Sequence, residues 1–80
     1  MKVEFFGRLV ELAGARSVDA PDSCADVAAV IGWLAVDRPG LADVLRSGTV
    51  RAVVDDGFVD AGTALSDTSA LAFVPPVSGG

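Results

Sequence analysis

An α+β fold, with one main helix packed across one face of a mixed sheet, is what this sequence predicts. Three observations predict it. Stretches of period-two alternation or short apolar runs recur at residues 2–7, 15–20, 50–54 and 70–74, bounded by Gly, Pro or acidic turn residues. Between the second and third of them, Val27, Val30, Ile31, Leu34 and Ala35 fall at helical spacing. Only that one segment is long enough to cover a sheet, so one sheet face is left without a helix.

In the first strand Val3 and Phe5 share one face, and Lys2, Glu4 and Phe6 share the other; the two charges mark the outer face, so Phe6 is expected there as well. Residues 8–13 form a short helical or looped connector that ends at Gly14, a left-handed cap. Residues 15–20 read as a second short strand with Val18 inward, stopped by Pro21. The main helix is expected to start at Ser23, with Asp26 three residues on as a weak capping box, and to end at Pro39-Gly40. Cys24 then falls in its first turn as a buried small residue, Trp33 covers a core edge, and Gly32 is explained by close packing against a neighbour. Residues 41–46 add a helical turn through Leu41 and Leu45, broken by Gly48. In the strand at 50–54, Arg51 points outward and takes Val53 with it, leaving Val50, Ala52 and Val54 inward. Asp56-Gly57 between apolar residues signals a hairpin, with Phe58 and Val59 on the return limb. Residues 61–69 are turn-rich, and in the last strand Leu71 and Phe73 share a face while Val74 takes the other.

Composition narrows the chemistry. A chain of 80 residues supports one small core, and 51% hydrophobic content excludes disorder. No apolar run approaches a membrane span, and Glu4 comes too early for a signal peptide, so a cytoplasmic protein with no membrane association is expected. Eleven acids against six bases argue against nucleic acid, which requires clustered Lys and Arg, and suit a partner with a basic face. The absence of His excludes Ser–His and Cys–His dyads and histidine-bearing zinc sites. Cys24, the only cysteine, leaves no internal disulfide or thiolate cluster. There is no phosphate-binding glycine motif. No bound cofactor or metal is expected, and the chain lacks equipment for independent catalysis.

What remains is the end of the chain, Phe73-Val74-Pro75-Pro76-Val77-Ser78-Gly79-Gly80. Pro75 and Pro76 remove two backbone donors, so strand pairing stops and the chain leaves extended. Gly79 and Gly80 carry no Cβ, which makes a tip thin enough to thread a narrow channel. A terminal carboxylate there is an anion at neutral pH, unreactive until another enzyme activates it. The expected organisation is a domain over 1–74 and a flexible tail over 75–80. The uncovered sheet face carries Phe6, Val53 and Val74, with Phe58 beside them at the hairpin; a contiguous exposed apolar patch of this kind marks an interaction surface. Val74 ends the patch and Pro75 begins the tail, so a partner on that face finds the tail aimed at it. That is the layout of a carrier.

The tail resembles the terminus of the small subunit of molybdopterin synthase, a MoaD/ThiS-type sulfur-carrier family with a ubiquitin-like (β-grasp) fold, related to the thiamin-pathway carrier and to ubiquitin-related modifiers. The opening Val3-Glu4-Phe5-Phe6-Gly7-Arg8-Leu9, then Glu11-Leu12-Ala13-Gly14, and Val53-Val54-Asp55 are similar to the family as well. Departures are Val10, where relatives often carry Arg, Asp55, where Asn is frequent, and Ser66-Asp67-Thr68-Ser69, which lacks the usual Asp-Gly-Asp-Glu turn. The resemblance implies that a ubiquitin-activating-type adenylyltransferase uses ATP to adenylate the Gly80 carboxylate and that a sulfur donor protein converts it to a thiocarboxylate. The tail, with Pro75, Pro76, Val77, Ser78 and Gly79 as its binding residues, then enters the large synthase subunit and passes sulfur to cyclic pyranopterin monophosphate in molybdenum cofactor biosynthesis. Alternatives are a carrier for thiamin, cysteine or tRNA thiolation, a protein modifier joined to lysine through Gly80, or a plain interaction domain. Pro75-Pro76 speaks against the thiamin carrier.

Overall fold

The computed structural model describes residues 1–65 and 70–76. The elements run β1 (Lys2–Phe5), α1 (Leu9–Ala13), β2 (Ser17–Asp19), α2 (Val27–Asp37), α3 (Pro39–Leu45), β3 (Arg51–Val54), β4 (Gly57–Val59) and β5 (Leu71–Val74). The sheet order is β2-β1-β5-β3-β4. β1 and β5 pair in parallel at the centre and every other pair is antiparallel, so the sheet is mixed as expected.

Register gives each face its character. One row across the sheet reads Val18, Val3, Leu71, Val54, and the next reads Phe5, Phe73, Ala52, Val59. These rows face the helices. Val3, Phe5, Leu71 and Phe73 are buried, and the Phe5 and Phe73 rings stack with centroids 6.2 Å apart. α2 contributes Val27, Val30, Ile31 and Leu34 to the same core, α1 contributes Leu9, and α3 contributes Leu41, Ala42 and Leu45. Trp33 and Ala35 flank it half-buried, as the helical spacing predicts.

Five expectations are corrected. The main helix does not start at Ser23. Asp26 is its N-cap, in extended backbone (φ −146°, ψ 176°), and its carboxylate accepts from the Ala29 N–H at 2.8 Å. The cause is non-local: Asp26 bridges Ala64, and Leu65 N–H donates to the Ala25 carbonyl, which holds residues 25 and 26 extended. Cys24 therefore precedes the helix, buried in a turn closed by its own N–H on the Pro21 carbonyl. Gly32 has no neighbour within 4 Å of where its Cβ would stand, so close packing does not account for it. Pro39-Gly40 opens α3 rather than merely ending α2, with Pro39 in the first turn, where its missing N–H costs nothing. The hairpin loop is Asp55-Asp56, both at positive φ (50° and 66°), and Gly57 is already the first residue of β4, paired with Val54. The left-handed cap at Gly14 (φ 75°) and the inward Val18 stand as expected.

The turn-rich stretch begins as anticipated, with Asp60 Oδ1 accepting from Gly62 N–H and Thr63 Oγ1. The Ser66-Asp67-Thr68-Ser69 departure lies outside the described residues. Among the described residues, no helix is long and apolar enough to cross a membrane.

Candidate functional site

The open face follows from the intervening row of the same register: Ser17, Glu4, Ala72, Val53, Phe58. Val74 and Arg51 form part of the next row, and Lys2 and Asp19 lie on the other side. Apart from Arg51, charge and apolar surface are thus segregated. The β2–β1 side carries Lys2, Glu4 and Asp19, whereas the β5–β3–β4 side carries Val74, Ala72, Val53 and Phe58. Phe58 is 72% exposed and Phe6 45%, while Val53 and Val74 are half-buried between their neighbours. Three of the four expected patch residues, Val53, Phe58 and Val74, therefore share this side. Phe6 follows the last registered pair, Phe5 with Phe73, and continuing that parallel register by one step sets it beside Val74.

Sequence reasoning missed three features here. The Arg51 guanidinium lies 5.3 Å from the Phe58 ring centroid, a cation–π contact that keeps a positive charge beside the apolar patch. The alternation that sends Arg51 outward was readable, but its reach across to β4 depends on the hairpin register. The second feature is at the tail root: Pro75 is half-buried, and a Cβ added at Gly7 would stand 2.9 Å from its Cγ. Nothing local in the sequence joins residues 7 and 75; the parallel β1–β5 pairing does. The third is Val36, 80% exposed on α2 and outside the patch altogether. Pro76 is exposed, and Val77, Ser78, Gly79 and Gly80 lie outside the described residues.

The chain thus presents a half-apolar sheet face, with β5 leading from that face directly into Pro75-Pro76. A family model described as the ThiS family matches residues 3–80. The chain belongs to the ThiS family. Among solved structures, this ThiS-family chain is similar to SAMP1 from Haloferax volcanii, at 27% identity and a TM-score of 0.82, over 99% of this chain and 97% of that one. It is also similar to the HVO 2177 protein of Haloferax volcanii, at 29% identity and a TM-score of 0.75, over 99% of this chain and 84% of that one. A chain of the complex of subunits 1 and 2 of molybdopterin-converting factor from Helicobacter pylori shares the fold at 21% identity and a TM-score of 0.65, over 99% of this chain and 96% of that one. No curated protein matches. The β-grasp, ubiquitin-like architecture expected from the tail is therefore the architecture found, and it is the fold of ThiS/MoaD-like sulfur carriers and ubiquitin-like modifiers.

Proposed function

We propose that this chain is the sulfur-carrier small subunit of a molybdopterin synthase, with a docking domain over 1–74 and a delivering tail over 75–80. The observation that carries the reading is continuity: Phe58, Val53 and Val74 lie on the open face, and the strand that ends in Val74 runs straight into Pro75. A partner bound on that face receives the tail without the domain having to turn.

In this reading Gly80 supplies the reacting carbonyl carbon and Gly79 the clearance, while Val77 and Ser78 line the partner's channel. A ubiquitin-activating-type adenylyltransferase joins the Gly80 carboxylate to the AMP portion of ATP, and pyrophosphate leaves. A sulfur donor protein then supplies sulfur at the sulfide level, a C–S bond forms at the carbonyl carbon as the C–O bond to AMP breaks, and the terminus is a thiocarboxylate. Proton transfers are assigned to partner residues, in keeping with the absence of His from this chain. A chain with the same fold assembles with a second subunit in the Helicobacter pylori complex, which supports a large-subunit partner here. A cytoplasmic location accords with dependence on ATP and an activating enzyme.

Incubation with activating enzyme, ATP and a sulfur donor, followed by intact-mass measurement, tests the chemistry; the expected product ends at Gly80 with one oxygen replaced by sulfur. Recovery of carboxylate alone rejects the carrier. Sulfur delivery to cyclic pyranopterin monophosphate on adding a large subunit then separates this pathway from thiamin, cysteine or tRNA thiolation. A second reading, as a protein modifier, is favoured by the similarity to a chain named small archaeal modifier protein 1. Its signature is a Gly-Gly remnant on lysines of other proteins.

A further inference from the structure

Pro75 and Gly7 stand at equivalent places on the two central strands. The parallel register pairs Phe5 with Phe73, and two steps further along each strand are Gly7 and Pro75. Proline has no N–H to continue the ladder, so something other than pairing must hold it. Gly7 is where the two segments come close: its φ is +58°, and a Cβ built on it would stand 2.9 Å from Pro75 Cγ and 3.8 Å from Cδ. Real Cβ atoms are not found that near a ring carbon.

Gly7 is itself fixed. Its carbonyl accepts from Val10 N–H and the preceding Phe6 carbonyl accepts from Leu9 N–H, so the turn into α1 holds it on one side and β1 on the other. Leu9, Val44 and Val50 line the same groove as Pro75 and Pro76. Pro75 is half-buried as a result, although it lies beyond the end of the sheet.

We infer that Gly7 is a positioning residue for the tail: its missing Cβ makes the seat on which Pro75 rests, and that seat sets the point and direction from which the chain leaves the domain. A proline fixed at φ of about −65° transmits its own placement to the residue that follows far better than a freely rotating residue does. The inference deepens the carrier reading above, because there the aimed tail is what delivers sulfur.

The test separates seat from chemistry. Gly7→Asn tolerates positive φ yet adds the Cβ that Pro75 Cγ excludes. Gly7→Asn combined with Pro75→Ala removes the ring carbons that this Cβ would meet. In the free wild-type chain, a nuclear Overhauser contact between Gly7 Hα and Pro75 Hγ is expected, with a Pro76 Cα–H order parameter that drops in Gly7→Asn. Absence of the contact, or an unchanged order parameter, overturns the seat whatever the protein does. In single-turnover sulfur delivery, Gly7→Asn is expected to slow the step about tenfold or more, toward the roughly 10²-fold that an ångström of misplacement costs. Affinity for the large subunit should stay within about twofold of wild type, and in the Pro75→Ala background the Gly7→Asn change should have little further effect, as a coupled pair requires. An undiminished delivery rate, or equal losses in both backgrounds, overturns the positioning role. Should the wild-type chain carry no sulfur at all, the function proposed above fails, and the two spectroscopic measurements alone decide the seat.

Discussion

Gly32 stands in the middle of α2 with open space where a Cβ would go, so its backbone entropy cost is not compensated by any contact. Gly32→Ala is expected to raise unfolding free energy by about 1 kcal/mol, read as a higher urea midpoint at unchanged m-value. A loss of stability would mean that a neighbour occupies the space after all. The sequence suggested the opposite role for this glycine, since a closely packed glycine and an idle one look alike in one sequence. Asp26 shows the same limit. Both Ser23 and Asp26 are plausible caps by residue type, and the choice between them is made by the bridge to Ala64, a partner 38 positions away (64 minus 26) that no local pattern reveals. By contrast, the left-handed Gly14 was legible because Gly directly after a short helical stretch has a local conformational cause.

At the level of elements, alternation and helical spacing carried most of the fold, and turn geometry carried the errors. Asp55-Asp56-Gly57 offers two candidate loops. Looping at Asp56-Gly57 would set Phe58 across from Asp55; looping at Asp55-Asp56 sets it across from Val53, an apolar pair that stabilises the strands. The cost is left-handed backbone at two residues with a Cβ. Asp56→Gly removes part of that cost and should stabilise the domain by about 1 kcal/mol; an unchanged thermal midpoint would show that the Asp56 side chain already offsets the strain. The α2–α3 junction is held by Arg38, whose Nε donates to the Ala13 carbonyl at the end of α1 at 2.7 Å. Arg38→Ala leaves that partly buried carbonyl without its donor, and a loss of about 1–2 kcal/mol in chemical denaturation is expected. Arg38→Lys retains the charge but not the same Nε geometry, so it should recover only part of this. A contact between residues 13 and 38 had no signature in the sequence, because neither residue belongs to a repeating pattern.

For the whole molecule, the function proposed above would use two surfaces that the fold places in series: an open face and the chain leaving it. The face was legible from two charges, Lys2 and Glu4, which fixed the phase of β1, and from Arg51, which fixed that of β3. The tail root was not, because it is made by the parallel pairing of the first strand with the last. The two surfaces can be taken apart by mutation. Phe58 is 72% exposed, so Phe58→Asp should cost only its cross-strand contact with Val53 and the Arg51 contact, about 1 kcal/mol, and leave the fold intact. Burying a carboxylate against an apolar partner surface should weaken large-subunit binding by about 2 kcal/mol or more, roughly 30-fold in Kd. Removal of Gly80 is the converse experiment. It takes away the carbonyl carbon proposed to react while leaving every residue of the sheet face in place, so binding should persist while sulfur delivery stops. If Phe58→Asp bound as tightly as wild type, docking would have to use another surface, and Leu12 and Val36, exposed on the helices, would be the next apolar residues to test. If the chain shortened by Gly80 still delivered sulfur, the carbonyl carbon of this terminus would not be the atom that carries it.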